Sequence, residues 1–147
     1  LSISHTGSAV LVALCTTYHG RVGVDLVQQE PLSPGFANAW LDREEKELAE
    51  FGDRWEIHRL WAIKEAVYKT ACSDTPFRPR GLHVRRCEKR GYVCVTNPDC
   101  QPLPCCINTW QVDGHVAALV TDRDVAYESV ANRHLNELEE SLTVRKR

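Results

Sequence analysis

Apolar residues run almost unbroken from Ala9 to Cys15, and this stretch reads as a buried strand over 9–16. Val22, Val24, Leu26 and Val27 are mostly β-formers, so 21–27 reads as a second strand. The Tyr18-His19-Gly20 turn between them predicts a hairpin. Pro31, Pro34 and Gly35 then break the chain. Asp42 with Glu45 has capping-box spacing and opens a helix that runs to Phe51, where Gly52 stops it. Asp53 with Glu56 repeats that spacing ahead of a second helix over 54–71. Ile57, Leu60, Trp61, Ile63, Ala66, Val67 and Ala71 give it an apolar stripe at helical period. A loop follows over 72–81, marked by Ser73, Asp74, Pro76, Pro79 and Gly81. Strands are predicted over 82–87, 91–96, 105–112 and 115–121, with Gly91 and Asp113-Gly114 as turn signals. Residues 124–147, with Val130, Leu135, Leu138 and Leu142, read as a peripheral helix fraying into Arg145-Lys146-Arg147. The pattern as a whole is one α+β domain with a mainly antiparallel sheet, over 1–122, followed by that tail.

The 147 residues suffice for one hydrophobic core. Hydrophobic residues make up 43% and charged ones 26%, as in globular domains. The net charge of −2 gives no general pull toward nucleic acid. No apolar run is long enough to cross a membrane, and no signal-peptide pattern opens the chain, so a cytoplasmic protein is expected. There is no Met and the chain opens on Leu1, which reads as a piece of a longer protein. The seven cysteines (Cys15, Cys72, Cys87, Cys94, Cys100, Cys105 and Cys106) form no C-x-x-C pair. They are expected to be reduced core thiols rather than zinc ligands or disulfides.

Four features carry possible chemistry. Gly23-Val24-Asp25 puts an acid at the end of an apolar strand, where a buried carboxylate needs a partner such as a divalent cation. The turn-forming role is the plainer alternative. Glu65 and Lys69 lie four apart and share one face of the second long helix. On a solvated helix they would be a surface ion pair, but Trp61, Ile63, Ala66 and Val67 make much of this helix face the core, which points to a pocket rim. Ser4-His5-Thr6-Gly7, just before the first strand, offers phosphate donors or is an ordinary turn. Arg78, Arg80, Arg85, Arg86, Lys89 and Arg90 make a basic patch, either a solvated face or an attraction for an acidic partner.

The order Ser4-His5, Gly23-Val24-Asp25, then Trp61-x-x-Lys64-Glu65-Ala66-x-x-Lys69 resembles the phosphopantetheinyl transferase superfamily over about residues 1 to 121. Because Ser4-His5 precedes the Gly23-Val24-Asp25 strand, the chain is similar to the two-lobed members of the surfactin-synthetase-activating type. It would supply the C-terminal lobe, a mainly antiparallel sheet packed against a long helix, and a missing N-terminal lobe or a second copy would complete the site. The resemblance implies a holo-acyl-carrier-protein-synthase type of activity. Such an enzyme moves the 4′-phosphopantetheine of coenzyme A onto a serine of an acyl or peptidyl carrier protein, with Mg²⁺. It implies Asp25 and Glu65 as metal ligands and Glu65 as general base. It implies Lys69 as the cation at the phosphates, and His5, Thr6, Lys64 and Lys69 as coenzyme A contacts. Phe36, Trp40, Leu41 and Arg43 would meet the carrier; core or cap packing is the alternative for all four and the preferred role for Trp40. Many two-lobed members carry a second acid two residues after the first, and here that position is Val27. The alternative is a non-catalytic coenzyme A or carrier-binding module of the same fold.

Overall fold

The computed structural model describes residues 1–15, 20–71, 76–96 and 103–122. The Tyr18-His19 turn, the start of the 72–81 loop and the 124–147 helix lie outside the described residues. Seven strands and three α-helices are present there: β1 (Ser2–His5), β2 (Val10–Ala13), β3 (Val22–Gln28), α1 (Phe36–Trp40), α2 (Arg43–Phe51), α3 (Glu56–Ala71), β4 (His83–Cys87), β5 (Gly91–Val95), β6 (Cys106–Val112) and β7 (His115–Thr121). A 3₁₀ turn at Pro79–Gly81 precedes β4. The fold is α+β, and every strand pair is antiparallel.

The strands form three small sheets, ordered β1-β2, β3-β7-β6 and β4-β5. The predicted hairpin of residues 9–16 with 21–27 does not form. β2 pairs instead with β1, Ile3 opposite Val12, while β3 pairs with β7, Asp25 opposite Ala118. Ser4-His5 is therefore strand and not a turn before one. The reason lies in β3's two edges. One is taken by the β7 ladder. Along the other lies β1, whose Ser2 and Ser4 hydroxyls accept the Val24 and Leu26 N–H groups at 3.0 and 3.1 Å. A two-residue spacing puts both serines on one strand face, so they satisfy alternate edge donors without a ladder.

Asp42 and Glu45 form the expected capping box. Asp42 Oδ1 accepts the Glu45 N–H, and Glu45 Oε2 accepts the Asp42 N–H. The second box does not close. Asp53 accepts the Trp55 N–H at 2.8 Å, but the Glu56 carboxylate is buried against Tyr92, Arg59 and Arg86. The short α1 has no amphipathic repeat to announce it; it starts at Gly35 in the left-handed region, φ 87°. The β6–β7 turn uses Asp113 and Gly114 at φ 45° and 76°, the pair of left-handed residues a tight hairpin requires.

The core lies between α3 and the β3-β7-β6 sheet. Leu60, Ile63, Ala66 and Val67 meet Val116, Ala118, Val120 and Ile107, and Val84 and Cys94 of the β4-β5 hairpin close one end. Fully burying residues such as Leu60 and Ile63 contributes about 1.5–3 kcal/mol each. α3 approaches β3 so closely that a Cβ on Gly23 would stand 2.0 Å from the Ala66 carbonyl oxygen and 2.3 Å from Thr70 Oγ1. Only glycine fits there, and that contact sets the distance between β3 and the polar face of α3. Among the described residues no helix is long and apolar enough to cross a membrane.

Candidate active site

Two residues past Gly23, at the middle position of β3, stands Asp25, 3% exposed. Its position is interior to the strand, not at its end as expected from sequence, and its charge is held by two donors. Ser4 Oγ donates to Asp25 Oδ1 at 2.8 Å, and Lys69 Nζ donates to the same oxygen at 2.7 Å. Lys69 Nζ is also 3.7 Å from Glu65 Oε2, so both carboxylates touch one ammonium. These groups meet because β3 and α3 cross at Gly23, and because residues 61, 65 and 69 recur on one side of the helix.

The cleft that holds them has a volume of about 450 Å³ and is walled by Ile3, Ser4, His5, Val27, Trp61 and the Asp25, Glu65 and Lys69 side chains. Burial pushes the Glu65 carboxyl above its ordinary range, and the Asp25 charge beside it pushes the same way. Lys69 and a hydrogen bond from Trp61 pull against them. A buried carboxylate pushed up in this way beside a second one is a setting that a divalent cation would relieve. Among the described residues no three His, Cys, Asp or Glu side chains gather in one place. Asp25 and Glu65 are the two carboxylates of this cleft that could hold a cation. Hard oxygen donors that leave several positions to water and phosphate suit Mg²⁺, which keeps waters and is often held by one or two carboxylates.

His5 is exposed and lines the cleft, where an anionic ligand would meet it. Thr6 is turned away from that role. Its hydroxyl lies 3.1 Å from His115 Nε2, and His115 Nδ1 donates to the Asp113 carbonyl at 2.9 Å. In neutral His115 the Nδ1 proton is used on that carbonyl, so Nε2 is the acceptor and consumes the Thr6 proton.

Lys64, expected beside the ligand, is fully buried on a different face of α3 from Glu65. Its three ammonium protons go to Glu45 Oε2 at 2.7 Å, the Pro79 carbonyl at 2.9 Å and the Trp40 carbonyl at 3.1 Å. A helical step of one residue rotates the side chain by about 100°, which separates Lys64 from its neighbour Glu65. Leu41, one of the apolar residues expected to meet a carrier, is 2% exposed and belongs to the core. Trp40 remains 40% exposed and packs against Trp61 at a tilt, and Phe36 meets the same ring edge to face.

Three residues of the basic patch find partners within the fold. Arg85 pairs with Asp42 and Glu44, Arg86 contacts Glu56 and Tyr92, and Arg80 donates to the Asn38 and Ala39 carbonyls. Cys15, Cys87, Cys94, Cys105 and Cys106 carry no disulfide. Burial, with Cys105 beside it, pushes the Cys94 thiol up to about 12, so it stays neutral.

Ser4 and Trp61 are the cleft residues whose roles sequence reasoning missed. The Ser2-x-Ser4 spacing was the available signal for Ser4. The partner of its hydroxyl is decided by where β1 lies on β3. A family model described as 4′-phosphopantetheinyl transferase superfamily matches residues 21–120, which include Asp25, Glu65 and Lys69 and exclude β1 and β2. Comparison with curated proteins gives no match.

Proposed function

The chain belongs to the 4′-phosphopantetheinyl transferase superfamily, and from that premise we propose that it moves the phosphopantetheine of coenzyme A onto a serine of an acyl or peptidyl carrier protein, with Mg²⁺. The single observation that carries this reading is the convergence of Asp25, Glu65 and Lys69 in one cleft.

In this reading Asp25 and Glu65 hold the cation, which, when bound, supplies positive charge to the pyrophosphate. Lys69 stands beside both carboxylates and neutralises charge as it develops on the leaving group. His5 at the cleft wall meets the 3′-phosphate. Glu65 takes the proton of the carrier serine, helped by the burial that already raises its proton affinity. The serine oxygen bonds to the phosphorus that bears pantetheine, and the bond from that phosphorus to the bridging oxygen breaks. Holo-carrier protein and adenosine 3′,5′-bisphosphate leave. Phe36 and Trp40, beside Trp61, together with exposed Arg43, are the surface offered to the carrier. A further lobe of the two-lobed type, or a second copy, completes the coenzyme A cleft.

The test is transfer of fluorescent coenzyme A to an apo-carrier protein by the full-length protein. Glu65→Gln and Lys69→Met are expected to lower kcat/KM by more than tenfold, a loss above about 1.4 kcal/mol. Wild-type transfer by Glu65→Gln would remove that residue from the mechanism. One observation favours a binding module instead: Val27 puts an apolar side chain on the cleft wall where many two-lobed members have an acid. Coenzyme A binding without any product would decide for it.

A further inference from the structure

We propose that Ser4 is a positioning residue for the Asp25 carboxylate, an inference that rests on the metal-dependent reading of the cleft.

The hydroxyl has no freedom of direction. Ser4 is buried at 6% exposure, and its oxygen accepts the Leu26 N–H at 3.1 Å. The hydroxyl proton then points to Asp25 Oδ1, 2.8 Å away. Lys69 Nζ donates to the same oxygen at 2.7 Å. A carboxylate oxygen has two lone-pair sites, so Oδ1 is filled, and Oδ2 is left as the oxygen for a cation. Lys69 alone would not fix this. Its side chain is 28% exposed, and it divides its charge between Asp25 and Glu65. The hydroxyl, anchored through Leu26 N–H to the strand that carries Asp25, ties the carboxylate's rotation to the backbone. Partners of this kind around metal ligands are worth about 10–100-fold in affinity.

Ser2 provides the internal control. Its hydroxyl accepts the Val24 N–H at 3.0 Å, the same edge bond two residues earlier, and among the described contacts it does not reach Asp25. A purely structural role for the serines predicts equal consequences for both. A positioning role separates them.

The experiment titrates Mn²⁺, followed by electron paramagnetic resonance, into the full-length protein saturated with coenzyme A. Thermal unfolding is recorded alongside. Ser2→Ala and Ser4→Ala are expected to lose similar thermal stability. Ser4→Ala is expected to weaken Mn²⁺ binding by at least tenfold, while Ser2→Ala stays within about twofold of wild type. Ser4→Cys keeps the volume with a weaker donor and serves if the alanine variant does not fold; it is expected to weaken Mn²⁺ several-fold. Unchanged Mn²⁺ affinity in a folded Ser4 variant, with Asp25→Ala losing the metal, overturns this role and leaves the metal reading standing. Equal weakening by Ser2→Ala also overturns it. Absence of Mn²⁺ binding in the wild type overturns both.

Discussion

Replacing Lys64 by Met removes the cation from a closed space between α2, α3 and the 3₁₀ turn at Pro79–Gly81. Glu45 and Lys64 are both fully buried. Glu45 Oε1 accepts the Val84 N–H at 2.8 Å, and Oε2 accepts the Asp42 N–H and the Lys64 ammonium. Without Lys64 the carboxylate keeps two backbone donors but loses its countercharge, and the Trp40 and Pro79 carbonyls lose their donor. An exposed pair would cost about 0–1 kcal/mol to break; a buried one, stripped of one partner, costs about 3–5 kcal/mol. That is a large share of the roughly 5–15 kcal/mol that holds a domain folded. With a urea slope of about 1–3 kcal/mol/M, the midpoint should fall by about 1 M or more. Tryptophan fluorescence in urea measures it. The double variant Glu45→Gln/Lys64→Met removes the stranded charge and keeps an acceptor for Val84 N–H, so it should be more stable than Lys64→Met alone. A loss under about 1 kcal/mol, together with a raised KM for coenzyme A, would refute the buried-pair reading and return Lys64 to the ligand.

Gly23→Ala forces a methyl group onto the Ala66 carbonyl, 2.0 Å away, where backbone cannot yield; a loss of about 1–3 kcal/mol or more in thermal unfolding is expected, with transfer activity lost as β3 and α3 separate. Val27→Glu adds an acid to the cleft wall and should tighten Mn²⁺ several-fold while costing about 1 kcal/mol of stability, since Val27 packs against the core; unchanged Mn²⁺ affinity would show that the side chain does not face the cation. For Asp42, burial raises the carboxyl pKa, but hydrogen bonds from the Glu45 N–H, His83 and Arg85 outweigh it and hold the group below its ordinary 3.8. A depressed acid stabilises the fold above its unfolded pKa and loses that contribution as pH falls through the lower folded value. The destabilisation by Asp42→Ala should therefore shrink below pH 3.8, and a constant difference down to pH 2 would refute the assignment.

The sequence alone determined most of the elements, because their signals are local. The capping box at Asp42 and Glu45 is written within four residues, the left-handed turn at Asp113-Gly114 within two, and the stripe of α3 within five turns of helix. The pairing of acid and lysine at 65 and 69 is likewise fixed by helical period. What the sequence did not determine was which neighbour each strand finds and which way each polar side chain on α3 turns. Residues 9–16 are apolar enough to pair with β3, yet β7 takes that edge and β1 seals the other with hydroxyls. Lys64 and Lys69 look alike in the motif, but one ammonium closes the core against Glu45 and the other opens on the cleft beside Asp25. Those outcomes depend on contacts between residues far apart in the sequence, such as Asp25 with Lys69 and with Ala118. They are settled by competition for a limited number of buried donors and acceptors, and that competition takes place only once the chain has packed.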